Sequence, residues 1–138
     1  MISFYSETEY ALQKEDHISN WISNVITAEG FEEGEISYIF CNDEYLLKLN
    51  IEFLNHDTLT DIISFDNSVG KQINGDIYIS IERVKENAIT YKTLFLNELH
   101  RVIIHGILHY CGYKDKTEAD AKTMRHKEEA SLSSRNFI

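Results

Sequence analysis

Apolar residues recur along this chain with two periods, every second position or every third and fourth, and the switches between the periods mark the elements. Residues 2–5 are rich in strand formers and predict a first strand. Over residues 16–29, Ile18, Trp21, Ile22, Val25 and Ile26 fall at helical spacing and stop at Gly30, which predicts an amphipathic helix covering a sheet. Ile36, Tyr38 and Phe40 then alternate with other residues as a strand does. Asn42 or Asp43 is placed to cap a helix running through Leu46, Leu49 and Phe53. Residues 61–66 and 76–81 read as two more strands, joined through Asn67, Ser68 and Gly70 as a hairpin. A helix follows from residue 82 to about residue 94, and a charged helix near the end opens at Thr117, with Asp120 three positions on. The expected class is α+β: a mixed four-stranded sheet with four to five helices packed on it, in a single domain over residues 1–138.

One stretch organises the rest. In ELHRVIIHGILHYCGYKD, which starts at Glu98, the residues Leu99, Val102, Ile103, Ile104, Ile107 and Leu108 spread around most of a helix, so that helix is expected to be buried beside the sheet. His105 and His109 interrupt the apolar surface. Four apart, they share one helix face, where two imidazoles can hold one metal ion. Gly112 can take the left-handed conformation that stops the helix, and Asp115 can then return towards the histidines as a third ligand. Three protein ligands leave a position open for water, the arrangement of catalytic rather than structural zinc. A lone histidine on an apolar helix is usually a core residue bonded to a carbonyl. A pair is harder to dismiss, because each buried imidazole without a partner costs about 1 to 3 kcal/mol. Cys111 lies about 200° around the helix from His109 and points elsewhere. His126 reaches the ion only if the last helix crosses the site. Glu98 shares the face of His105 but stands about 10 Å up the axis, too far to be a ligand.

Charge and length narrow the chemistry. At 138 residues the chain can bury an ordinary core unaided, so a metal need not act as a staple. No apolar run is long enough for a membrane span, and MISFYSETEY lacks the basic and apolar regions of a signal peptide, so a cytoplasmic protein without a membrane partner is expected. Cys41 and Cys111 form no CxxC pair and are expected to be buried thiols. With 23 acidic residues against 13 basic ones, the net charge of −10 counts against a large nucleic-acid surface but permits a small basic cleft. Lys114, Lys116, Lys122 and Arg125 could form such a rim, although a charge run of this kind is usually a solvated face.

The spacing of the three ligands is also that of zinc proteases with HExxHxxGxx and a third ligand. Those enzymes carry a glutamate directly after the first histidine as general base; here that position is Gly106, which can accept no proton. Phosphodiester cleavage stays open, since a metal ion lowers the pKa of water to about 7 and polarises a phosphoryl oxygen.

The run HGILHYCGYKD resembles the HGxLHLxGYDH signature of the YbeY endoribonucleases. Further motifs agree in order and spacing: Leu49 and Asn50 resemble the family's LN pair, TDIISF from Thr60 to Phe65 its PTDVLSFP strand, and GDIYIS from Gly75 to Ser80 its GDIVIS strand, while Met124, Glu128 and Glu129 suit its last helix. The resemblance implies an α+β fold and one zinc ion, or another divalent transition metal, on His105, His109 and Asp115. It also implies cleavage of single-stranded RNA in 3′-end maturation of small-subunit ribosomal RNA and in ribosome quality control. By the same resemblance Thr60, Asp61, Ser64 and Lys114 line the substrate cleft, although polar residues at strand spacing are as often solvent-facing or capping. Asp76, beside Gly75, reads as a turn residue or a supporting group. The chain departs from the family in three ways: Asp115 stands for its third histidine after Lys114, Leu54 for an arginine of the cleft, and Leu59 and Asp66 for two prolines flanking the strand. A zinc peptidase of unusual design and a non-catalytic ribosome-associated metalloprotein are the alternatives, the first disfavoured by Gly106 and the second kept open by Leu54 and the acidic balance.

Overall fold

In the computed structural model, which describes residues 1–138, the chain runs β1 (Ile2–Ser6), α1 (Glu15–Ala28), β2 (Glu32–Cys41), α2 (Asp43–Leu54), β3 (Ile62–Asp66), β4 (Gln72–Ser80), α3 (Ile81–Thr90), α4 (Phe95–Tyr110) and α5 (Glu118–Ser133). The strands form one sheet in the order β1-β2-β4-β3, with β1, β2 and β4 parallel and β3 antiparallel on the edge. This is the α+β class expected, with a four-stranded mixed sheet and five helices. The β3-β4 pair is the expected hairpin. Its turn is tied by the Ser68 amide, which donates to Asp66 Oδ1 at 2.9 Å, and by Gly70 at φ 58°.

The sheet buries both faces unequally. Tyr38 and Phe40 of β2 with Ile77 and Ile79 of β4 point to one face, where they join the apolar sides of α1, α3 and α4 in a cluster of 22 buried residues. The other face carries only α2, through a small cluster of Cys41, Leu46 and Ile63. Helix α4 therefore lies between the sheet and the other helices, which is why its apolar residues run around most of its circumference. No helix is long and apolar enough to cross a membrane.

Three elements have bounds that differ from the periodicity, β2, β4 and α3. Strand β2 starts four residues before Ile36, with a register shift between Glu33 and Ile36. At Gly34 an added Cβ would meet the Ile73 carbonyl oxygen at 2.6 Å, so the polar start of the strand is held by backbone approach rather than by an apolar face. Strand β4 begins at Gln72 and ends at Ser80, whose hydroxyl accepts from the Arg83 amide at 3.2 Å, so Ile81 opens α3 instead of closing the strand. Helix α3 ends at Thr90, because Lys92 takes the left-handed conformation at φ 56° and the Thr93 amide donates back to Ala88 O at 3.0 Å. A lysine in that role leaves no sign in the sequence where a glycine would.

Candidate metal centre

Helix α4 and the loop behind it assemble the site. Cys111 ends the helix, Gly112 turns the chain at φ 101°, and the Tyr113 amide donates to Leu108 O at 3.1 Å, so the chain doubles back within five residues of Tyr110. Asp115 is thereby brought to the histidines: its Oδ2 lies 3.3 Å from His105 Nε2 and 3.4 Å from His109 Nε2. One ligand atom from each of the three residues lies within 4.8 Å of the other two. His126 is exposed on α5 and outside this cluster, and Cys111 is half-buried and outside it as well. Burial pushes the Cys111 thiol up to about 11 and the Cys41 thiol to about 12, which leaves both inert at neutral pH.

The outer nitrogens of both rings are accounted for. His105 Nδ1 lies 2.6 Å from Glu128 Oε2, and His109 Nδ1 lies 2.9 Å from the Tyr113 carbonyl oxygen. With Nδ1–H donating in each, both Nε2 lone pairs face Asp115. A direct ion-pair hydrogen bond would be about 2.7–2.9 Å long, shorter than either contact observed, and here one oxygen faces two rings. Ligands bound to zinc at about 2.0–2.2 Å and tetrahedral angles stand roughly 3.3–3.5 Å apart, which is the spacing of each histidine nitrogen from Asp115 Oδ2. Two imidazoles and a carboxylate, each ring steered by a further acceptor, thus fit a divalent transition ion.

Behind His105 lies a charged network that periodicity did not reveal. Glu128 on α5 is 2% exposed and accepts from Arg101 Nη1 at 3.2 Å as well as from His105. Arg101 in turn donates to Glu98 through Nε at 3.0 Å and Nη2 at 2.6 Å. Glu98 is therefore not a ligand, as its distance along the helix implied, but half of a buried ion pair. Burial by itself would raise the Glu128 carboxyl, yet the hydrogen bond from His105 and the charge of Arg101 hold it below its usual range. Charged residues inside an apolar helix must be paired, and that was the available signal: Glu98 and Arg101 sit three apart on the His105 face, and Met124 and Glu128 sit four apart on one face of a mostly charged helix.

The cleft residues separate. The cavity of about 240 Å³ that holds His105 and Asp115 is bounded by Arg101, Met124, Arg125 and Glu128, and neither Thr60, Asp61, Ser64 nor Lys114 lines it. Ser64 pairs with Ile77 in the ladder and so faces the covered side of the sheet, Thr60 turns its hydroxyl to Ile62 O at 3.4 Å, and Lys114 is exposed. Asp61 is half-buried; desolvation raises its carboxyl, and Arg101 and His105 are close enough to oppose that shift. Gly106 proves to be a packing position: an added Cβ would meet Ile77 Cδ1 at 3.1 Å and Ile62 Cδ1 at 3.2 Å. The residue that a protease would need there would be driven into the sheet.

A family model described as endoribonuclease YbeY matches residues 2–136. Among curated proteins, the endoribonuclease YbeY of Flavobacterium johnsoniae is 58% identical over 132 residues, covering 96% of this chain and 95% of that protein. The endoribonuclease YbeY of Flavobacterium psychrophilum is 59% identical over 132 residues, with 96% and 94% covered. A Thermotoga maritima protein solved in solution superposes with a TM-score of 0.71 at 25% identity, over 96% of this chain and 87% of that one.

Proposed function

The chain belongs to the endoribonuclease YbeY family, and from that premise we propose that it hydrolyses single-stranded RNA at a zinc ion held by His105, His109 and Asp115. The observation that carries the reading is the convergence of those three side chains, with both Nε2 atoms and one carboxylate oxygen turned to a common point. When bound there, zinc supplies a Lewis acid for a phosphoryl oxygen and lowers the pKa of water to about 7. The protein's own part is orientation. Glu128 fixes the tautomer and tilt of His105, the Tyr113 carbonyl does the same for His109, and the two rings stand nearly perpendicular at 88° with centroids 4.5 Å apart. Tyr113 is itself anchored, its hydroxyl donating to Glu29 Oε1 at 2.6 Å, so the loop that carries Asp115 is tied to the end of α1.

The physiological substrate in this reading is small-subunit ribosomal RNA, cut near its 3′ end during maturation and quality control on the ribosome, in the cytoplasm. The test is cleavage by zinc-loaded protein of single-stranded RNA, duplex RNA and casein, with His105→Ala as the control. Expected is cleavage of the single strand alone, lost in the variant and on chelation. Casein hydrolysis lost in His105→Ala would overturn the reading in favour of a peptidase; zinc-dependent binding to ribosomes without cleavage of any RNA would leave a non-catalytic factor.

A further inference from the structure

An RNA-cutting enzyme with a net charge of −10 has to hold phosphate somewhere near its metal site, and the position of the family's cleft arginine is occupied here by Leu54. Leu54 does not border the cavity that holds His105 and Asp115. Beside it lies a second cavity of about 330 Å³, lined by Tyr91, Thr93 and Asn97 between the end of α3, α4 and α5. Arg101 and Arg125 line both, so the two cavities adjoin at these guanidinium groups and together mark a groove on the α4–α5 side of the candidate metal site.

These arginines are not equivalent. Arg101 has Nε, Nη1 and Nη2 committed to Glu98 and Glu128, and its side chain is only 16% exposed. Arg125 is 57% exposed and forms an ion pair with Glu128 through Nη1 alone, at 3.6 Å, which leaves Nε and Nη2 to donate to a ligand. Lys114, Lys116 and Lys122 are exposed and border neither cavity. At the far end Tyr91 is 61% exposed on the turn that closes α3, an aromatic ring largely open to solvent. Glu129 and Asp115 are exposed carboxylates of the groove wall, so a phosphate there needs a cation facing it.

We propose that this groove is a track for single-stranded RNA leading away from the metal site, in which Arg125 grips a backbone phosphate and Tyr91 stacks on a base. The inference rests on the RNA-cleaving reading above. Binding of a fluorescein-labelled single-stranded oligouridylate to zinc-loaded protein is followed by anisotropy across a salt series, with zinc content measured for every variant. Arg125→Gln should weaken binding roughly tenfold and lower the slope of log affinity against log salt by about 0.7, the share of one phosphate contact on a single strand. Arg125→Lys should keep that slope, and Lys122→Gln should match the wild type. Tyr91→Ala should weaken binding roughly tenfold without altering the slope, and Tyr91→Phe should restore it. Zinc content should stay the same throughout. The proposal is overturned if Arg125→Gln binds with wild-type affinity and slope, or if Lys122→Gln loses as much as Arg125→Gln, which would make the effect one of diffuse charge. If the wild type neither binds nor cuts the RNA, the functional reading itself has failed; if it does both and the groove variants are silent, only the track has.

Discussion

Glu128→Gln tests whether the geometry at His105 is held from behind. In the native protein the carboxylate is 2% exposed, accepts from His105 at 2.6 Å and from Arg101 at 3.2 Å, and its acidity is increased by both partners, so it is ionised at neutral pH. Glutamine can still offer one oxygen to His105 Nδ1, but its amide NH2 group then faces Arg101, which retains only Glu98. Loss of a partner behind a ligating histidine typically weakens metal affinity about 10- to 100-fold, or roughly 1.4 to 2.7 kcal/mol. The metal-free fold should lose about 1.5 to 3 kcal/mol for the charged hydrogen bond, short of the cost of an orphaned ion because Glu98 still neutralises Arg101. Zinc competition against a chromophoric chelator measures the first quantity, and urea unfolding of chelated protein measures the second. The reasoning is refuted if Glu128→Gln binds zinc within about twofold of the wild type while His105→Ala abolishes binding, since His105 would then need no support from α5.

Asp115→Ala should weaken zinc binding by orders of magnitude and Asp115→His should restore it, while His126→Ala, exposed and outside the cluster, should leave it unchanged; elemental analysis of purified variants decides between them. Gly106→Ala should cost about 1 to 3 kcal/mol in urea unfolding, because its Cβ would meet Ile77 and Ile62 near 3.1 Å, and stability equal to the wild type would show that α4 can move off the sheet. His100 is 3% exposed against Arg135, and burial first, then Arg135 and Lys14, lowers its pKa from 6.5 to about 4. A histidine depressed in the folded state favours folding fully above its unfolded pKa and loses that contribution as pH falls from about 6.5 towards 4, by about 2 kcal/mol at pH 5 relative to pH 7.5. Comparing unfolding at those two pH values in the wild type and His100→Gln should show that part of the acid loss missing from the variant; identical pH dependence would mean His100 titrates normally.

Local periodicity located all nine elements, because strand alternation, helical apolar spacing and caps such as Asn42 and Thr117 act over a few residues and leave their mark there. The convergence of the three candidate ligands was legible for the same reason: His105, His109, Gly112 and Asp115 lie within eleven residues, and one helix face with one glycine turn brings them together whatever surrounds them. Tertiary structure decided what depends on distant residues meeting. Glu128 reaches His105 only because α5 packs along α4, and the Tyr113 hydroxyl finds Glu29 across 84 positions. Gly106, a missing base by its spacing, has the sheet about 3 Å from its Cβ position, and the ladder turns Ser64 towards the core while α5 places Arg125 on the cavity that holds His105 and Asp115. The order β1-β2-β4-β3 and the choice of face for α2 follow from which apolar surfaces cover one another, a balance of burial over the whole chain that short-range spacing does not encode.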